Sequence, residues 1–148
     1  MRPVIFHICI FVLAISTSAS AGEVLIKPEE AALPPAISST AKTRALTRKP
    51  EIVLILPASA VNSPFEFRLK FQAHGGSNID TNSFRLIYLK NPNIDLTSRV
   101  KSHVTAQGLE MVDAEAPPGQ HAIEALVSDS DNREGSAVFT LNISKQTP

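Results

Sequence analysis

The sequence predicts an all-β fold, an antiparallel sandwich of about seven strands with one short helical turn between strands. Three observations predict it. Phe65, Phe67, Leu69, Phe71 and Ala73 alternate with Glu66, Arg68, Lys70 and Gln72, which gives a strand one buried and one wet face. Pro117-Pro118-Gly119 is a turn feeding a second alternating run through Asp129, and Ala137 to Ile143 alternates again after the polar Asp131-Asn132 loop. The connections between these runs are short, which leaves no room for crossover helices and argues against parallel pairing.

In chain order, residues 1–21 read as a secretory signal peptide. Arg2 supplies the positive charge, Val4 to Ile15 is mostly apolar, and Ala19-Ser20-Ala21 matches the small-residue cleavage pattern. The apolar stretch is shorter than the roughly 20 residues a membrane span needs. No transmembrane segment is therefore expected after cleavage. The single cysteine, Cys9, lies inside that stretch, so it is not at the cleavage point, as a lipoprotein would require. The mature chain then has no cysteine and must be stable without disulfides, which suits a bacterial periplasmic or secreted protein.

Residues 22–49 read as a flexible linker or tail. The segment carries Pro28, Pro34 and Pro35 and a Ser/Thr/Ala run, then the cations Lys42, Arg44, Arg48 and Lys49. No apolar period persists through it. A sharper reading makes the four cations an electrostatic tether to acidic envelope polymer or lipid headgroups.

The folded domain is expected over residues 50–145. Ile52 to Leu56, closed by Pro57, suits an edge strand, because proline cannot donate to a ladder. Gly75-Gly76 and Asn78 to Asn82 form a loop. Ser83 to Lys90 is the third strand, with Phe84, Leu86 and Tyr88 on one face and Ile87 and Leu89 on the other. Within Ile94 to Thr105, Leu96, Val100 and Val104 recur every four residues, and Asp95 can cap a helix start. Gly108 to Ala114 is a further strand.

Pro118-Gly119-Gln120-His121-Ala122-Ile123, the Val127-Ser128-Asp129 run and Asn132 together carry a resemblance. The segment resembles the C-terminal hairpin of bacterial Ig-like, fibronectin-type-III-like and cadherin-like modules. These read Pro-Gly-x-aromatic-x-apolar, then an Asp, then a Gly or Asn turn. The Pro50 start and the Pro64-to-Ala73 strand also fit, so the likeness spans roughly residues 50–143. It implies an Ig-like sandwich that acts as a spacer or recognition domain in a surface or periplasmic protein. His121 stands where an aromatic residue is usual. With no tryptophan and no cysteine pair, the chain departs from antibody-type domains.

Charge excludes some partners. The chain has 14 basic and 14 acidic residues. Loss of Arg2 leaves the mature protein one negative charge from neutrality, so no field favours nucleic acid. Catalytic patterns are missing: there is no G-x-S-x-G, no H-E-x-x-H, no phosphate loop and no reactive thiol in the mature chain. Asp113 and Glu115 are expected to share a strand face, whereas glycosidase carboxylates straddle a cleft.

Two metal readings stand beside this. Small periplasmic copper-binding proteins are also Ig-like sandwiches. His74, His103 and His121 supply imidazoles suited to copper, although that family typically places a histidine near the mature N-terminus and Gly22-Glu23 offers none. His121 otherwise reads as a core-rim side chain whose ring bonds backbone at a strand end. Asp129, Asp131, Asn132 and Glu134 crowd one loop and offer oxygen ligands for calcium, against the simpler reading that Asx residues build the turn. No cofactor is expected unless copper or calcium is one.

The expected function is that of an exported, non-enzymatic binding module of the bacterial envelope. It would recognise an envelope protein or cell-wall polymer through a sheet face or edge, with Ile87 and Leu89 as the candidate surface. The alternative is a periplasmic metal-binding protein of sandwich fold.

Overall fold

The computed structural model describes residues 22–36 and 48–145. The signal-peptide reading of 1–21 and the tether cations Lys42 and Arg44 lie outside the described residues. Nine strands are described: β1 (Glu23–Val24), β2 (Glu51–Leu56), β3 (Phe65–Gln72), β4 (Ile79–Tyr88), β5 (Ile94–Asp95), β6 (Val104–Thr105), β7 (Gly108–Glu115), β8 (Gly119–Asp129) and β9 (Glu134–Ile143). Two single-turn helices join them, α1 (Pro28–Ala31) and α2 (Thr97–Val100), the second continuing as a 3-10 turn over Lys101–His103. The fold is therefore mostly β, in two sheets. Among the described residues no helix is long and apolar enough to cross a membrane.

The first sheet runs β1-β7-β3-β2, with β6 also on β7; the second runs β5-β4-β8-β9. Their inner faces share one core. Phe67, Leu69, Phe71 and Met111 enter it from the first sheet, and Phe84, Leu86, Ile123, Val127 and Leu141 from the second. The Phe71 and Phe84 rings meet across it at 5.3 Å between centroids. β8 shows why the second sheet holds its register. Its odd-numbered residues from His121 to Asp129 are buried and the intervening ones are not, so a one-residue slip would turn the whole core set outward.

Two β-bulges and one wider irregularity depart from strict alternation. One extra residue on β7 lies between the pairs Phe67↔Met111 and Phe65↔Ala114. It leaves Val112 and Asp113 both exposed, opposite the single residue Glu66. β2 carries one extra residue between Leu54 and Leu56. β4 is irregular between Asp80 and Arg85, and it begins at Ile79, inside the stretch read as a loop.

The helical turn expected in 94–105 is present. Asp95 Oδ1 accepts the Thr97 N–H at 2.8 Å, and Leu96 and Val100 are fully buried. The Thr97 side chain and backbone bonds hold the Asp95 carboxyl below its usual pKa.

The reading of 22–49 as a flexible tail does not hold for its first half. Residues 22–36 form a strap packed on the sandwich. Leu25 and Ile26 are 0% and 1% exposed and belong to the core. β1 pairs with β7 through Glu23↔Ala114 and Val24↔Glu115, and this pairing is parallel. The expectation of purely antiparallel pairing fails here for a clear reason. The short-connection rule constrains strands that follow one another, and β1 reaches β7 from the far end of the chain.

Two outcomes test this packing. Leu25→Ala should cost about 3 kcal/mol in denaturant unfolding, the range for a buried leucine; a loss near zero would return the strap to the status of a tail. A Cβ on Gly135 would lie 1.8 Å from the Pro50 carbonyl oxygen, whereas one on Gly76 meets nothing within 4 Å. Gly135→Ala should therefore destabilise by ~2 kcal/mol or more, against ~1 kcal/mol for the φ penalty alone in Gly76→Ala.

Candidate functional site

The two buried polar side chains of the described core sit at opposite ends of β8. At its start, His121 is 2% exposed. Its Nε2 lies 2.7 Å from the Pro117 carbonyl oxygen and its Nδ1 lies 2.8 Å from the Tyr88 hydroxyl. A carbonyl can only accept, so Nε2 carries the proton and Nδ1 accepts the Tyr88 O–H. The ring is a neutral imidazole with both nitrogens committed. Burial is the main reason its pKa falls below the ordinary 6.5; the Pro117 bond opposes the shift and the Lys90 charge adds to it. Burial likewise pushes the Tyr88 hydroxyl up to about 12.

The same network continues into the strap. Lys90 Nζ lies 5.2 Å from the Tyr88 ring centroid and donates to the carbonyl oxygens of Ala31 and Leu33, each at 2.8 Å. Ala36 N–H donates to the Leu89 carbonyl and Asn91 N–H to the Pro34 carbonyl. Arg99 grips the strap's middle. It donates from Nη1 to Glu30 Oε2 at 2.8 Å, from Nη2 to Glu30 Oε1 at 2.5 Å and from Nη1 to the Leu25 carbonyl at 2.9 Å. The Arg99 hydrogen bonds hold the Glu30 carboxyl below its usual range, against the opposing effect of burial.

At the far end of β8, Asp129 organises the β8–β9 turn. Its Oδ1 accepts the N–H groups of Asp131 and Arg133, and its Oδ2 accepts Ser77 Oγ–H and Arg133 Nε–H. Burial pushes its pKa up, but these bonds together hold it below the ordinary value. Asp131 pairs with Arg133 Nη2 at 2.7 Å. The loop read as a calcium candidate thus already has its counter-cation in Arg133, and both Asp129 oxygens are occupied by donors. This supports the turn reading.

The three histidines stand apart. His103 Nε2 bonds Glu23 Oε2 at 2.7 Å, beside the strap. His74 lies at the Asp129 end, 4.0 Å from Glu51 Oε2, and its carbonyl accepts from Ser77 and Arg133. His121 lies at the other end. Among the described residues no group of three or more His, Cys, Asp or Glu side chains is placed to hold a metal ion.

The candidate partner surface also changes. Leu89 is 8% exposed and Ile87 is half-buried, so the two do not make an open apolar patch. The strap runs beside Leu89, whose carbonyl takes the Ala36 N–H. Of the five exposed large apolar side chains among the described residues, three lie on the outer face of β2 and β7, the others being Val24 on β1 and Val138 on β9. Val53 and Ile55 on β2 are 37% and 39% exposed, and Val112 on β7 is 64% exposed. Between them on β3, Arg68 pairs with Glu66 and, at 2.6 Å, with Glu110. Asp113 and Glu115, expected on one strand face, lie on either side of the buried Ala114. Asp113 is exposed, and the Glu115 carbonyl receives the N–H groups of Leu25 and Ile26.

Comparison with models of protein families, with curated proteins and with solved structures found no match.

The network has a pH signature. His121 binds its proton less readily folded than unfolded. Its contribution is complete above the unfolded pKa of 6.5 and is lost as pH falls through that value toward the folded one. Glu30, lowered from 4.5, contributes above that value and loses its contribution as pH falls further; Asp95 and Asp129 share its sign. Unfolding free energy should therefore decline in two windows, first below about pH 6.5 and then below about pH 4.5. His121→Gln should flatten the first window, and Glu30→Gln should shrink the second. An unchanged slope near pH 6 in His121→Gln would show that another group titrates there.

Proposed function

We propose that the chain is an exported, non-enzymatic binding module of Ig-like sandwich type, working in the periplasm or outside the cell of a bacterium. Its partner is an envelope protein or cell-wall polymer, engaged through the outer face of the β7-β3-β2 sheet. One observation carries this reading. That face exposes Val53, Ile55 and Val112 beside the fixed Arg68–Glu66–Glu110 ion cluster, apolar area next to charges held in place. The β2 edge itself is less suited to strand addition, because a bulge and Pro57 interrupt its ladder. The non-enzymatic part is supported by the buried polar groups. His121 and Asp129 spend their lone pairs and protons on fold contacts, which leaves no paired nucleophile and base between them. Export rests on the pattern of residues 1–21.

The test is crosslinking of the tagged, exported protein in cells, followed by mass spectrometry of envelope fractions. The wild type should capture one dominant partner. Val53→Lys combined with Val112→Glu should reduce capture at least about tenfold, as loss of a partner-face anchor does, with the melting temperature nearly unchanged. Undiminished capture by that folded variant would place the partner elsewhere. Leu89→Lys should instead unfold or strongly destabilise the domain, since it introduces a charge at a buried position.

A further inference from the structure

The strap is bound as a peptide ligand is bound. Each end joins the sandwich by strand pairing, at Glu23↔Ala114 and Val24↔Glu115 on β7 and through an antiparallel bridge between Pro35 and Lys90. Between them the chain makes one helical turn and sinks Leu25 and Ile26 into the core. The walls of its groove hold it with side chains of the sandwich. His103 meets Glu23, Arg99 meets Glu30, and Lys90 takes two strap carbonyls.

The covalent link between strap and sandwich is long for the distance it must cover. The strap ends at Ala36, beside Leu89, whose N–H bonds Ala122 near the start of β8. The described chain resumes at Arg48, beside Gly75 near Arg133, and the Arg133 carbonyl bonds Asp129 at the end of β8. The two points are separated by roughly 20 Å along that strand, at ~3.3 Å per residue. Twelve peptide steps join them, with a contour of about 40 Å. The length of the link therefore does not confine the strap to its own sandwich.

We propose that residues 22–36 are exchangeable, and that the groove formed by β7, Lys90, Arg99 and His103 is a docking site for the same segment of a second copy of this chain. Reciprocal exchange remakes every contact of the closed monomer: the same ion pairs, the same strand pairing, the same burial of Leu25 and Ile26. Only the loss of independent motion opposes it. The balance is set by concentration against the effective concentration of the tethered strap, about millimolar for a short linker. The second copy is the occupant because its strap brings the same Glu30 to Arg99, the same Glu23 to His103 and the same carbonyls to Lys90.

The full chain tests this on a Cys9→Ser background. Val24 and Glu115 are strand partners, close enough for a disulfide when both are cysteine. The double variant Val24→Cys/Glu115→Cys should close within its own chain. The two single variants, carrying different tags and mixed at high concentration, should form a heterodimer whose linked peptides join position 24 of one chain to position 115 of the other. Arg99→Ala loosens the strap and should speed heterodimer formation about tenfold, the rate effect of losing about 1.4 kcal/mol. If the double variant closes internally while the mixed single variants give no such heterodimer, with or without Arg99→Ala, the strap is confined to its own chain and the proposal is overturned.

Discussion

Insertion of Leu25 and Ile26 between the sheets is the contact on which one whole end of the molecule depends. Sinking two adjacent residues into a core also sinks their peptide groups, and each buried N–H or C=O left unpaired is costly. The fold meets that demand with two residues far away in sequence. The Glu115 carbonyl accepts both N–H groups, and Arg99 takes the Leu25 carbonyl. Arg99 can do this because α2 sets it beside the strap, and its remaining donors close on Glu30 in a two-pronged pair. The Glu30 carboxylate in turn accepts the Lys27 N–H at 2.9 Å, which organises the first turn of α1. Apolar burial, peptide satisfaction and helix start are thus one connected device. Removing any one member exposes the others to water.

β8 links this device to the rest of the sandwich. Its inward face is apolar except at its ends, where His121 and Asp129 replace hydrocarbon with a hydrogen-bond hub. Both hubs obey one rule: a buried polar side chain is tolerable when its valences are filled. His121 fills its two with a carbonyl and a hydroxyl. Asp129 fills its two oxygens with four donors. That economy also limits their chemistry, because a nitrogen or oxygen already engaged in the fold has no lone pair to offer a metal or a substrate proton.

Local pattern made much of this legible and distance hid the rest. β3 and β8 could be read because a period of two persists through each of them. The turn at α2 could be read because Leu96, Val100 and Val104 recur every four residues and Asp95 precedes them, although Val104 itself falls in β6. The His121 ring could be placed at a strand end bonding backbone, as the Pro117 contact shows. Its second partner, Tyr88, lies on another strand and left no mark beside it. The strap shows the limit best. Val24-Leu25-Ile26 is too short to display a period, and the prolines around it read as a spacer. Pro28 and Glu30 did carry a helix-start signal, proline at the first position and an acid two residues on. What made the segment core rather than tail was the Glu115 carbonyl and the Arg99 fork, and no local pattern announces those.

The bulge on β7 sets the phase of the strand end that receives the strap. Strict alternation from Leu109 and Met111 would turn position 113 inward and 112 and 114 outward. The extra residue breaks that sequence. Val112 and Asp113 both face solvent, and Ala114 turns into the core at 0% exposure. Ala114 and Glu115 are the residues that pair with β1. Val112 would face outward with or without the inserted residue. What the insertion decides is the phase of everything after it, placing Ala114 in the core and the Glu115 carbonyl toward the strap. With the chain length unchanged, a register that absorbed the bulge would turn Asp113 into the core and Ala114 out of it, carrying the β1 ladder to the opposite side. The strap groove is thus a consequence of a single register change in one strand, and a substitution that irons it out would be felt first at Leu25 and Ile26.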